Sequence, residues 1–518
     1  MGRLTSLPSA VVTDDSALGG AVIANSLRVS TTDSSYLIRT PSSAGNRRTF
    51  TISLWVKRSS MSGSAVFGAY ISSSDRATLR FASGDVIEFQ TSGYSVKTDA
   101  AFRDTNSWYH IVCAIDTTQG TQSDRGKIYV NGVQQSLQSN NLTQNLDTSV
   151  NNNSVQTFGT RWIGGYNGGF DGYLAEINLI DGFQLDPTYF GYTEFQTGIW
   201  RPKGYFGSYG TNGVRLDFSD NSATTAVTLG KDRSGQGNDY TPTNLSVSAG
   251  VGNDSFLESP TAKKEFPTFN SNLQLSSSTE YRQGNLAFYT SGSSTVQTRA
   301  NMSRNSGKWY AEFTLTTYTH RSGSYPYLGV ASAENFANTW TGDSGTAYQS
   351  QGGIWRNSSN IESGYATYAA GDVISVAINL DSSPPQVWWA KNGSYIRSGA
   401  NPSTLTAGVN IEPASTSGTY TFTASLYANP GQWDANFGQR AFAHSIPTGF
   451  KSLNTDNFPI NTPSIIRAQK QFAAVIYSGD NTEYRKIPLD FKADLVWFKQ
   501  RNGTASVSYT HLTLPTKA

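Results

Sequence analysis

Few side chains in this chain have the types and spacing for covalent or hydrolytic chemistry. Three of the four histidines, His110, His320 and His444, are scattered, and His511 is set aside below. No Gly-x-Ser-x-Gly elbow presents a serine to any of them. No His/Cys pair has zinc spacing, and no Walker loop is present. His110 alternates with apolar residues in Tyr109-His110-Ile111-Val112-Cys113, so it reads as an outward-facing or satisfied residue rather than a base. The second kind of chemistry is recognition. Sugar C–H faces pack on flat rings that lose little conformational entropy, with Asn, Asp and Gly around the hydroxyls. Aromatics in loop-like sequence are Tyr166 beside Gly165, Tyr325, Tyr327, Trp340 and Trp355. Trp55, Trp108, Trp309, Trp388 and Trp389 lie on alternating strands and read as core.

The elements that position these residues are strands. Thr49-Phe50-Thr51-Ile52-Ser53-Leu54-Trp55-Val56-Lys57 alternates with period two. Two sets of strands each close on an Asn-Gly pair, Asn131-Gly132 and Asn392-Gly393. Asn-Gly is a strong hairpin signal because a type I′ turn needs positive φ at both central residues. The two sets predict two β-sandwiches in tandem. Composition agrees, with 49 Gly, 12% aromatic, 15% charged and only 3 Met in 518 residues. Net charge is +2 with no basic run, so neither nucleic acid nor an anionic membrane is expected as partner. One cysteine, Cys113, excludes an internal disulfide and suits folding in a reducing cytoplasm. The start, Met1 to Ser6, lacks the apolar region of a signal peptide. No apolar run is long enough to span a bilayer.

Phe50-Thr51-Ile52-Ser53-Leu54-Trp55-Val56-Lys57, Trp108-Tyr109-His110-Ile111-Val112, Ile128-Tyr129-Val130-Asn131-Gly132 and Phe170-Asp171-Gly172-Tyr173-Leu174-Ala175-Glu176-Ile177 resemble the concanavalin A-like, laminin-G-type jelly roll. The likeness covers residues 20–195, after a polar leader at 1–19. Residues 196–283 are rich in Gly, Asn and Ser and are expected to form a connector with little core. Gly307-Lys308-Trp309-Tyr310-Ala311-Glu312-Phe313, Tyr327-Leu328-Gly329-Val330-Ala331, Trp388-Trp389 and Trp433-Asp434-Ala435-Asn436-Phe437-Gly438-Gln439 resemble a SPRY domain, placed at 284–455. Residues 463–506 are expected to open a truncated third β-rich domain. Val507 to Thr516 resembles a translated sequencing adapter, so 507–518 is expected to be an artefact. The fold class expected is all-β, with tandem sandwiches.

The jelly-roll resemblance raises two further expectations. Glycosidases of this type carry Glu-x-Asp-x-Glu on one strand, and two of the carboxylates act as nucleophile and acid/base. Here Glu176 stands in place, but Asn178 and Ile180 replace the other two, so no enzyme is expected. The family also often holds calcium, which takes six to eight oxygens. By resemblance the ligands are Asp33, Asp171 and Glu176, with Asp232, Ser234 and Asp239 as a weaker set. The competing reading gives Asp33 and Asp171 to tight turns. SPRY domains bind partners with loops at one sandwich edge, where Tyr325, Trp340 and Trp355 would lie.

The complete order resembles virion-associated or tail-fibre-region proteins of marine tailed bacteriophages. It implies a non-catalytic virion protein, made in the host cytoplasm, that binds host-surface polysaccharide or protein. Other virion proteins and copies of itself would be further partners. Two alternatives stand beside it. One is the accessory binding region of a bacterial carbohydrate-active enzyme, and the other is a structural spacer of a fibre.

Overall fold

The computed structural model describes residues 20–458, apart from 60, 62–63, 106, 195–197, 262–264, 271–277, 293–294, 320–322, 324, 334–344, 412–417 and 427–429, together with 495–498 and 508–511. The chain is all-β, and its only helical segments among the described residues are short 3₁₀ turns. No helix among them is long and apolar enough to cross a membrane.

The first sandwich pairs two eight-stranded sheets. In one, Thr49–Arg58 lies between Tyr109–Asp116 and Gly172–Asp181. In the other, Arg76–Phe81 lies between Ser64–Tyr70 and Val86–Thr91. Phe50, Ile52, Leu54 and Val56 enter the core with Leu79, Phe89, Ile111 and Leu174, as their alternation requires. The opposite face of the same strand is buried as well. Thr51 donates to the Phe183 carbonyl at 2.8 Å, Ser53 faces His110, and Trp200 packs against the cluster that holds Trp55. The Asn131-Gly132 turn has φ +49° and +81°, and Asn392-Gly393 has +47° and +80°, as a type I′ hairpin demands.

Residues 196–283 are not a connector with little core. Val214–Leu216 pairs with Ile177–Leu179, Thr241–Thr243 with Tyr36–Ile38, and Ser255–Phe256 with Ser26–Leu27. Val214, Leu216, Phe218, Leu229 and Tyr240 join the core cluster of the first sandwich. Val214-Arg215-Leu216-Asp217-Phe218 reads as a strand, but Thr241–Thr243 and Ser255–Phe256 are too short to carry a period, and Phe256 pairs with Ser26, 230 residues away. The turn between them is held by Asp232, which accepts from Arg215 N, Ser234 N and Asn238 N.

The second sandwich stacks a nine-stranded sheet on a six-stranded one. It opens earlier than 284, because Thr279–Arg282 forms a hairpin with Ala287–Thr290. Trp389 and Trp433 are wholly buried and donate to the Leu328 and Ser425 carbonyls at 3.1 and 3.2 Å. Trp55, Trp309 and Trp388 are buried too, and Trp108 packs partly buried against Tyr173.

The two sandwiches form one compact unit, Met1–Asn457. Arg28 pairs with Asp254 at 2.7 Å and also donates to Gln283 Oε1 at 2.7 Å. Tyr173 Oη donates to the Gln283 carbonyl. Gly250 N and Leu257 N donate to the carbonyls of Ala441 and Gln439, and the buried Arg440 lies over the Phe256 ring. A buried ion pair contributes geometry more surely than stability, since its desolvation offsets much of its attraction.

The second unit spans Phe458–Ala518. Within it Leu495–Phe498 pairs antiparallel with Ser508–His511. Of the third domain expected to open at 463–506, all but Leu495–Phe498 lies outside the described residues.

Candidate functional site

One hairpin of the first sandwich lies on the outside of its sheet. Thr160–Trp162 pairs with Tyr166–Gly169, and Trp162 stands opposite Tyr166. The hairpin crosses Ser64–Tyr70 at Gly68. A Cβ there would sit 2.9 Å from the Thr160 carbonyl oxygen and 3.2 Å from Arg161 Cα, so the crossing requires glycine. Tyr36, at the start of the strand Tyr36–Arg39, supplies a third ring. Its centroid is 5.7 Å from Trp162 and 5.9 Å from Tyr166. Tyr36 is buried, whereas Trp162 and Tyr166 are half-buried. Trp162 and Tyr166 are thus two partly exposed rings braced, at tilts of 58° and 34°, on the buried Tyr36. Burial, then the charge of Asp171, raise the Tyr166 phenol above its ordinary pKa.

The turn beside this hairpin holds two of the residues expected to bind calcium. Asp171 accepts from Thr31 N and Thr31 Oγ1, both at 2.7 Å, and thereby ties the Thr31–Ser34 turn to the sheet. Asp33 is exposed on that turn. Glu176 is elsewhere. A bulge between Ala175 and Asn178 puts it at φ +43°, and its carboxylate meets Arg215 at 2.6 and 3.2 Å. Burial holds the Glu176 carboxyl above its usual pKa, with Arg215 pulling the other way. The three therefore do not share a site, and among the described residues no group of three or more His, Cys, Asp or Glu is arranged to hold a metal. The weaker set does lie together, but its oxygens are engaged. The Asp232 oxygens are spent on Ser234, Asn238 and Arg215, and Asp239 caps Asp232 N at 2.8 Å. Neither set, therefore, brings three carboxylates together as calcium ligands.

The strand where paired carboxylates would stand is roofed. Asn178 Oδ1 accepts from Tyr209 Oη at 2.8 Å, next to the Glu176–Arg215 pair. Asp181 accepts from Asn46 N, Asn151 Nδ2 and Asn212 N, which fastens loops rather than facing solvent. His110 is buried and satisfied at both nitrogens. Trp200 Nε1 donates to Nδ1 at 2.9 Å, so the ring proton sits on Nε2, facing Ser53 Oγ at 2.9 Å. Trp55 stacks on its ring at 4.8 Å, and burial pushes the imidazole down to about 3. Burial likewise raises the Cys113 thiol well above its usual range. His444 meets Glu312 through its backbone N–H, and His320 lies outside the described residues.

The ligand candidates divide between the sandwiches. Tyr166 belongs to the hairpin just described. Tyr327 is not in a loop: it lies buried on Pro326–Ser332, and its hydroxyl accepts from Gln349 Nε2 at 2.5 Å. Trp355, half-buried on Ile354–Arg356, meets the Tyr327 ring edge-on at 6.3 Å, which is a packing contact. Tyr325 is half-buried just ahead of Pro326, and Trp340 lies outside the described residues. Sequence reading missed Tyr36 and Trp162 as partners of Tyr166. The available signal was Trp162-Ile163-Gly164-Gly165-Tyr166, two large rings flanking a tight Gly-Gly turn.

Residues 31–183 match a family described as the concanavalin A-like lectin/glucanases superfamily. That agrees with the jelly roll of the first sandwich. No curated protein matches the chain. Among solved structures it is similar to the SPRY domain of human HERC1, at 13% identity over 30% of this chain and 91% of that one, TM-score 0.24. It is similar to a heptameric SAP-like pentraxin from Limulus polyphemus, at 15% identity over 32% and 80%, TM-score 0.26. A putative carbohydrate binding protein from Bacteroides ovatus matches at 15% identity over 43% and 59%, TM-score 0.30. At such identities and scores none of these structures bears on function.

Proposed function

We propose that this chain is a non-catalytic binding protein that holds a surface glycan on Trp162 and Tyr166, with the buried Tyr36 bracing them from beneath. The observation that carries the reading is the placement of Trp162 and Tyr166, two half-buried rings opposite each other on a hairpin laid over the sheet. Large rings left partly in water on a braced hairpin are poorly explained by core packing alone. The match of residues 31–183 to a lectin-containing superfamily supports the same reading. Binding without chemistry is supported by the strand Gly172–Asp181, where Glu176, Asn178 and Asp181 are all engaged by neighbouring side chains or loops.

The finer proposal is a tail-fibre or adhesin-type virion component. It would recognise polysaccharide or protein on a host envelope and assemble with other virion proteins and with copies of itself. It rests on the order of the two sandwiches and on their union into one compact unit through Arg28, Asp254 and Gln283. The test is adsorption of the purified full chain to a panel of bacterial envelopes and isolated polysaccharides. Binding that Trp162→Ala and Tyr166→Ala each weaken, in variants that remain folded at the assay temperature, supports the proposal. Hydrolysis of a bound polysaccharide, or binding indifferent to both substitutions, overturns it.

A further inference from the structure

The outer face beside the aromatic hairpin gathers arginines that are far apart in the sequence. Arg76 and Arg80 lie four residues apart on Arg76–Phe81, so period-two alternation puts both on the same face. That face is the outer one, because Ala77, Leu79 and Phe81 point into the core. Thr78, between them, pairs with Gly68, and Gly68 is where the hairpin crosses with Arg161 Cα directly above it. Arg161 is thus set down between Arg76 and Arg80. Its guanidinium reaches the side-chain oxygen of Asn167 across the hairpin, at 2.5 and 3.2 Å.

The carboxylates do not match this concentration of charge. Arg80 pairs with Glu88 at 2.7 Å. Neither Arg76 nor Arg161 has an ion pair among the described residues. Glu88 also has Lys97 as its cross-strand neighbour. The carboxylate partner of Arg80 thus also has an ammonium across from it, and Arg76 and Arg161 are left without an ion pair among the described residues, in a chain whose net charge is only +2. Like charges held together are unfavourable without counter-charge, and Arg161 shows it: burial, then Arg80 and Arg76, lower its affinity for its proton. Tyr70 stands opposite Arg76 in the register, with its hydroxyl 3.9 Å from where a Gly164 side chain would begin. The cluster thus continues into the Trp162–Tyr166 turn.

We infer that Arg76, Arg80 and Arg161 bind the acidic groups, sulfate or carboxylate, of an anionic polysaccharide whose sugar rings lie on Trp162 and Tyr166. The inference rests on the glycan reading above and narrows it to a substrate class. Guanidinium forks match the planar or tetrahedral oxygens of such groups bidentately, which an ammonium does not.

The experiment titrates the full chain, by calorimetry, with a sulfated polysaccharide, its desulfated counterpart, a polyuronate and a neutral glucan. Each is measured at about 50 and about 500 mM NaCl, since charge pairing at a half-exposed face is screened over that range. Expected is binding of the sulfated polymer, the polyuronate or both, weakened about tenfold or more by the added salt. Arg161→Gln should weaken binding to the acidic polymer about tenfold, with Arg161→Lys intermediate. Arg76→Gln, at the margin of the cluster, should act in the same direction, and it keeps the test valid if Arg161→Gln unfolds. Binding of the neutral and desulfated polymers equal to that of the acidic ones, unaffected by either arginine variant, overturns this inference and leaves the glycan reading standing. Binding of no polysaccharide overturns both. Equal binding of duplex DNA also overturns the inference, because the face would then be a general polyanion surface.

Discussion

Acidification should reveal His110 before any other group in the first sandwich. The imidazole is neutral in the fold, wedged between Trp55 and Trp200, with its Nδ1 lone pair taken by Trp200 and its Nε2 proton facing Ser53. Burial lowers it to about 3, against about 6.5 for an unfolded chain. The folded state therefore binds fewer protons than the unfolded state between those values. The stability this arrangement contributes is complete above about pH 6.5 and is lost as pH falls toward 3. At about pH 5, about 1.5 units below the unfolded value, the loss is about 2 kcal/mol, at about 1.4 kcal/mol per unit. The assay is urea unfolding of the first sandwich, followed by tryptophan fluorescence, at about pH 7.5 and about pH 5. His110→Gln removes the titration while keeping an amide N–H for Ser53. It should be less stable than the native chain at pH 7.5 and should lose about 2 kcal/mol less on acidification. Equal pH dependence in the two proteins would mean that His110 is not held neutral and that its three partners are misassigned.

Two substitutions test how the loops and sandwiches are fastened. Gly132→Ala places a Cβ 2.4 Å from the Trp200 ring at φ +81°, so it should destabilise the first sandwich by about 1–3 kcal/mol. A thermal midpoint unchanged from the native chain would refute that packing. Asp254→Ala leaves the buried Arg28 without its carboxylate. A loss of about 3–5 kcal/mol is expected, along with new protease cleavage near Gly250–Leu257, where backbone hydrogen bonds join the sandwiches. Retained stability and resistance would show that Arg28 does not hold the interface.

Much of the architecture could be read from the residues, and the reasons are specific. Thr49–Arg58 alternates because a sheet face must be apolar, and the two Asn-Gly pairs mark hairpins because few other residues accept left-handed φ. Val214-Arg215-Leu216-Asp217-Phe218 alternates and is legible as a strand, but nothing local shows that it and Tyr240 complete the core of the first sandwich. Their burial depends on partners such as Leu37 and Phe158, far away in the chain. Tyr327 reads as a loop residue beside Tyr325-Pro326, yet it belongs to a strand that pairs on both sides. Glu176 looked available because a one-residue bulge, invisible in the sequence, turns it to Arg215. Tyr166 was legible as a ligand residue, since a tyrosine beside Gly-Gly marks a turn. The rings and arginines around it come from three other strands, and only the crossing at Gly68 brings them together.

The most direct test of the glycan reading is the affinity of the full chain for envelope polysaccharide, measured for the native protein and for Trp162→Ala under one set of conditions. Trp162 packs against Tyr36 and stands opposite Tyr166, so its truncation should remove a stacking platform worth about 1–3 kcal/mol. The expected result is saturable binding that weakens about tenfold or more in the variant, which still unfolds cooperatively well above the assay temperature. Saturable binding of equal strength in both proteins would place the ligand elsewhere on the molecule and contradict the assignment of this hairpin.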